Sequence, residues 1–148
     1  MALTEAQARA LIGVDGLGGT LDLLYPIAEA KEAEPGIDVR DAEICYRRFL
    51  YVCWFGYQRD GSVKQSVICG CADAVWHQHI LVTRQYRADC ETIFGPGVYL
   101  NHEPGDFVYQ GVAVDPTQTQ AAALQLYRDA GVSPCPQLRH KCAWCITP

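Results

Sequence analysis

The chain has 148 residues, 49% of them hydrophobic and 10% aromatic, which is enough for one core and about the size of one ordinary domain. Its formal net charge of -5 and pI of about 5.2 exclude the clustered Lys and Arg that grip nucleic acid or anionic lipid; Arg47-Arg48 is the nearest approach to a basic cluster. The opening MALTEAQARALIGVDG lacks the basic start and unbroken apolar core of a signal peptide, and no run approaches membrane-spanning length. A cytoplasmic location is therefore expected, and a reducing compartment keeps the 8 Cys available for metal binding or thiol chemistry rather than disulfides.

In chain order, Leu3 to Ile12 carries helix formers behind Thr4, a capping residue, and GVDGLGGT from Gly13 to Thr20 breaks the pattern without the regularity of a phosphate loop. A second apolar segment, Leu21 to Ala30, ends near the turn signal Glu34-Pro35-Gly36. Between Val39 and Gly56, Ile44, Phe49, Leu50, Val52 and Cys53 recur at three- and four-residue steps, which predicts a buried helix opened by Asp41 and running to Gly56. Gln58 to Ser62 reads as a polar turn around Asp60-Gly61, followed by a β-like stretch from Ser66 to Cys69.

Val75, His79, Val82, Tyr86, Cys90 and Ile93 form one stripe at helical spacing, which predicts a single helix from about Ala72 to Phe94, stopped by Gly95-Pro96-Gly97. A loop through Asn101-His102-Glu103-Pro104-Gly105 leads to a weakly alternating strand, Phe107 to Val114. Asp115-Pro116-Thr117 then opens a last helix, Gln118 to Ala130, closed by Gly131. The tail SPCPQLRHKCAWCITP contains two internal prolines and is expected to be irregular. Together these signals predict a single, small, mainly helical domain over residues 1–148, with room for a minor two-stranded β element between Ser66 and Val114, and with residues 132–148 as an irregular Cys-rich tail.

The segment Trp76-His77-Gln78-His79-Ile80-Leu81 is followed by Thr83, Tyr86, Asp89-Cys90, Phe94-Gly95 and His102-Glu103-Pro104, and preceded by Tyr46-Arg47-Arg48-Phe49-Leu50 and Asp73. With these spacings the chain resembles the glycine-rich-domain-containing-protein-like family over roughly residues 41–104, which form the family-like core. The resemblance implies a relative and not a reaction, because that family is described through its W-H-x-H segment. Val82 stands where an Asp is common there, Asn101 where a second His often precedes the His102 position, and the glycine-rich repeats of the larger plant members are absent.

Imidazole binds Zn, Fe or Cu, and on a helix residues two apart point about 200° from each other, so His77 and His79 do not share a face. Asp73 and His77, four apart, do share one. The helical reading thus separates Asp73 and His77 from His79, Thr83, Tyr86 and Cys90, and His102 is able to complete either side. The expected site is a transition-metal centre drawn from His77, His79 and His102 with Asp73 or Cys90, taking Zn or Fe ahead of Cu, and an incomplete ligand set there leaves a position open to a substrate. The alternative to a metal-dependent enzyme is a noncatalytic helical interaction module in which Trp76 and the histidines organise the core. The reaction is not specified by these residues, and the partner is a small molecule or a protein, with neither nucleic acid nor membrane expected.

Cys142-Ala143-Trp144-Cys145 has the spacing that lets two thiolates hold one ion, and Cys135 and His140 lie close by, so these four form a second expected metal or redox site. Cys69-Gly70-Cys71 is placed to contribute from the other side of the fold. Cys45, Cys53 and Cys90 read as small packed hydrophobes, with a Cys90-His nucleophile as a minor alternative.

Overall fold

A computed structural model describes residues 2–14, 19–103, 108–109, 112–113, 116–137 and 139–147, with the backbone alone at 64–67, 103, 108–109, 112–113, 116–119, 139–145 and 147. The glycine cluster at 15–18 and the Asn101 to Gly105 loop beyond Glu103 lie outside the described residues. The protein is mainly helical. Helix α1 (Glu5–Ile12) starts where Thr4 and Gln7 exchange side-chain and backbone hydrogen bonds in a capping box, and Gly13 ends it in the left-handed region at φ 79°. Helix α2 (Leu24–Ala33) follows.

Helix α3 (Val39–Asp60) opens earlier than its periodicity predicts. Asp38, not Asp41, caps it, its carboxylate accepting from the N–H groups of Arg40 and Asp41. It also runs past Gly56 to Gly61, whose φ of 74° closes it. Gly56 serves packing rather than termination: a Cβ there would meet Val63 Cγ2 at 2.9 Å, so the missing side chain lets the following strand lie against the helix.

Strand β1 (Val63–Ile68) leads into α4 (Gly70–Leu81) and α5 (Thr83–Phe94), which replace the single helix expected over residues 72–94. At Val82 the backbone leaves the helix (φ -87°, ψ 66°), and its N–H bonds the His79 carbonyl in a tighter turn. Two β-branched residues, Val82 and Thr83, stand at the break, and the Thr83 hydroxyl donates to the Ile80 carbonyl. Beyond α5 come β2 (Tyr99–Glu103), a short antiparallel pair β3 (Val108–Tyr109) and β4 (Val112–Ala113), α6 (Pro116–Asp129) and β5 (Arg139–Thr147).

The last strand corrects the expectation of an irregular tail. Pro134 and Pro136 lie upstream of it, and RHKCAWCIT itself contains no proline. It is the central strand of a three-stranded antiparallel sheet in the order β1-β5-β2, pairing Val63 with Ile146 on one side and His102 with Trp144 on the other. The β element is thus larger than two strands, and its middle member comes from the tail.

Helix α3 runs through the core and packs against α1, α2, α4 and β1. Tyr46, Phe49, Leu50, Tyr51, Trp76, Ile68, Leu100 and Ile146 are almost fully buried, so all three strands of the larger sheet and the central helices share one apolar interior. Each such large side chain contributes about 1.5–3 kcal/mol through burial. Arg47 is also inside, with only 5% exposure, because its guanidinium pairs with Glu43 and donates to the Ile12 and Leu21 carbonyls, tying the segment after α1 to α3. No described helix is long and apolar enough to cross a membrane.

Candidate functional site

Asp73 and His77 occupy one face of α4 a turn apart, and the pairing of β2 with β5 brings His102 beside them. His102 Nε2 lies 3.0 Å from Asp73 Oδ1 and 3.0 Å from His77 Nε2, and His77 Nε2 lies 3.8 Å from Asp73 Oδ1. The Asp73 and His102 side chains are buried, whereas that of His77 is 52% exposed, so the cluster is walled on the protein side and open towards solvent. The indole of Trp76 buttresses His102 edge-on, with ring centroids 4.5 Å apart.

With both imidazoles neutral, His102 Nε2 faces His77 Nε2 and Asp73 Oδ1 at once and has a single proton or a single lone pair to offer the two. If Nε2–H of His102 donates to Asp73, it presents no lone pair to His77; if it accepts from His77, its lone pair faces a carboxylate oxygen. A cation placed between them would accept a lone pair from each. The separations of 3.0, 3.0 and 3.8 Å also bracket the edge of roughly 3.3 Å that tetrahedral bonds of about 2.0–2.1 Å to N and O require. This cluster has the geometry to hold a metal ion.

His79 and Cys90 lie elsewhere. His79 is 1% exposed, and its Nδ1 lies 2.6 Å from Tyr46 Oη while its Nε2 lies 2.7 Å from Asp89 Oδ2. Burial raises the Tyr46 phenol well above its ordinary range, so its hydroxyl stays protonated and donates to Nδ1, leaving Nε2–H to donate to Asp89. Both ring nitrogens are thereby used in joining α3, α4 and α5. Cys90 is buried and pushed up to about 11 by that burial, which leaves it a thiol and a poor nucleophile at neutral pH. A parallel chain runs from Trp76 Nε1–H to Tyr86 Oη at 2.9 Å, and the Tyr86 hydroxyl donates to the Leu100 carbonyl. The W-H-x-H segment therefore divides by face into a core anchor, an outward histidine and a buried hydrogen-bond hub.

A second cluster joins Cys45 of α3, Cys69 and Cys71 at the start of α4, and Cys135 after α6, all four sulfurs within 4.8 Å of one another. Cys69 and Cys71 are 3.1 Å apart. Contact with Cys45 and Cys69 lowers Cys71 to about 3, against the effect of burial. Cys45 is pulled down by Cys69 but raised more by Cys71 and burial, to about 12, and Cys69 is raised by Cys45, Cys71 and burial. The thiols thus titrate as one coupled group, in which contact with Cys45 and Cys69 favours a thiolate.

Sequence reasoning reached Cys69, Cys71 and Cys135 but placed Cys45 among packed hydrophobes. The side chains of His140, Cys142 and Cys145 lie outside the described residues. The signal available for the group was the Cys-x-Cys pair itself, whose partners are too distant along the chain for spacing to identify. No family model, curated protein or solved structure matches the chain.

Proposed function

We propose that this protein is a transition-metal protein whose Asp73, His77 and His102 side chains hold one Zn2+ or Fe2+ with a coordination position open to solvent, as suits a metal-dependent enzyme. The observation that carries this reading is the convergence of two imidazole nitrogens and one carboxylate oxygen at 3.0, 3.0 and 3.8 Å, close to the edge of a tetrahedral ligand set. Two His and one carboxylate form the ligand set of both catalytic zinc and non-haem iron, and it excludes the soft sulfur-rich environment that selects Cu(I). A metal held there polarises a water or a substrate oxygen as a Lewis acid. The chain's own residues support this chemistry: Trp76 fixes the His102 ring, and the half-exposed His77 marks the side from which a small molecule enters. The likeness of the W-H-x-H segment to the glycine-rich-domain-containing-protein-like family agrees with a shared use of this segment but specifies no substrate.

The test is elemental analysis of tag-free protein beside H77A, H102A and D73N variants. Loss of one metal equivalent with an unchanged far-ultraviolet circular dichroism spectrum is expected. Identical metal content in the wild type and all three variants would overturn the reading and favour a noncatalytic helical interaction module.

A further inference from the structure

We infer that Cys45, Cys69, Cys71 and Cys135 form a second metal site, a closed tetrahedral Zn2+ centre that binds the segment following α6 to α3 and α4 and is separate from both the histidine cluster and the CAWC tail. The four sulfurs come from three stretches far apart in sequence, yet all lie within 4.8 Å of one another. Four thiolates about 2.3 Å from one ion stand roughly 3.8 Å apart. The close Cys69–Cys71 pair at 3.1 Å and the 4.8 Å outer limit bracket that edge, so small side-chain rotations suffice to complete the tetrahedron. An iron–sulfur cluster would place its own iron and sulfide atoms between the thiolates and spread them farther apart, so the spacing fits a single ion. Between zinc and ferrous iron, a thiolate site favours zinc by intrinsic affinity.

The surroundings are those of a thiolate site. The Ala72 N–H donates to Cys69 Sγ at 3.4 Å, and the Gln137 N–H donates to Cys135 Sγ at 3.4 Å, so backbone amides neutralise and orient two of the four sulfurs. Cys69 caps α4, whose amino-terminal N–H groups further favour negative charge. Gly70 between the two cysteines leaves the Cys-x-Cys turn free of a side chain. Cys45, Cys71 and Cys135 line a cleft of about 860 Å3 that gives an ion a path to the site. Binding displaces the remaining thiol protons to solvent and oxidises nothing, and four protein ligands leave no position for substrate, so the site is structural where the histidine site is open.

The experiment uses the full chain, expressed without a metal-affinity tag and purified with a thiol reductant, with zinc counted per chain and then exchanged for Co2+. The cobalt form should show sulfur-to-cobalt charge-transfer absorption and the intense d–d bands of a tetrahedral thiolate site. C135S, on a loop, and the double variant C45S/C135S should lose these bands and one zinc equivalent, whereas C142S/C145S and H77A/H102A should keep both. Absence of the charge-transfer bands in the wild type would overturn the inference whatever the variants' stability. So would their survival in both C135S and C45S/C135S, their loss in C142S/C145S, or iron in place of zinc. The histidine reading stands or falls separately, since its ligands contribute no sulfur bands.

Discussion

His77 and His79 have opposite roles although one residue separates them, because α4 turns one outward and the other into the core. Replacing His79 with Ala leaves the Tyr46 hydroxyl and the Asp89 carboxylate without their partner and opens a cavity, and it should cost about 2–4 kcal/mol in urea unfolding. His77 meets the buried His102 and Asp73 from the solvent side and is half exposed, and its removal leaves the His102–Asp73 bond in place, so the stability of H77A in metal-free protein should change by less than about 0.5 kcal/mol. Equal losses from the two substitutions would contradict the division of the motif. Gly19 makes a second residue-scale case: a Cβ there would lie 2.6 Å from the Ile12 carbonyl carbon and oxygen and 2.7 Å from Arg47 Nη1. Those are backbone atoms and a buried, fully engaged guanidinium, which have little room to give. Gly19→Ala should therefore destabilise by about 1–3 kcal/mol, read from the denaturation midpoint at constant slope.

At the scale of elements, the break at Val82 separates two helices that a continuous stripe would have merged. A straight helix from Gly70 to Phe94 would carry Tyr86 and Asp89 along one axis away from Trp76 and His79, whereas the turn folds α5 back so that the Trp76–Tyr86 and His79–Asp89 bonds form. Strand β5 is more consequential still. It hydrogen-bonds to β1 on one edge and β2 on the other, and β2 carries His102. Truncation after Gln137 removes the strand that pairs with both β1 and β2 among the described residues and should abolish cooperative thermal unfolding, not merely shift it. A sharp transition retained by the truncated chain would show that β5 is dispensable. A gentler version is Ala143→Pro, which removes an N–H from the central strand and should cost about 3 kcal/mol or more.

For the whole molecule, the proposed metal sites and the buried phenols each predict a condition that weakens the fold. An ion held by Cys45, Cys69, Cys71 and Cys135 cross-links segments distant in sequence, so stripping metal with a chelator should lower the melting temperature by roughly 5–10 °C, reversibly on adding Zn2+ under reducing conditions. The phenols of Tyr46, Tyr86 and Tyr127 are each raised well above their ordinary value of 10.0, chiefly by burial. A raised folded-state value means that the folded chain holds the proton more tightly than the unfolded one. The associated stability is complete below pH 10 and is lost as the pH climbs from there towards the folded-state values. Tyrosinate absorbance should accordingly show these phenols ionising only with unfolding, in step with loss of the helical dichroism signal; their titration in a still-folded chain would contradict this.

Helical periodicity and capping are local, and they determined much of what is seen: Thr4 opens α1, the apolar spacing of residues 44–53 identifies the central helix, and the four-residue step from Asp73 to His77 places these two side chains on one face while excluding His79. Long-range pairing left no such trace. That the tail becomes the middle strand depends on two edges, β1 and β2, with unpaired backbone groups to satisfy, which no pattern within RHKCAWCIT reveals. The grouping of Cys45 with Cys69, Cys71 and Cys135 was equally hidden, because a cysteine on a buried helix reads the same whether it packs as a small hydrophobe or faces other sulfurs. Sequence by itself settled which residues share a helix face; the tertiary structure alone decided which faces meet, since a local repeat sets direction around an axis while contact between distant segments is set by how the axes pack.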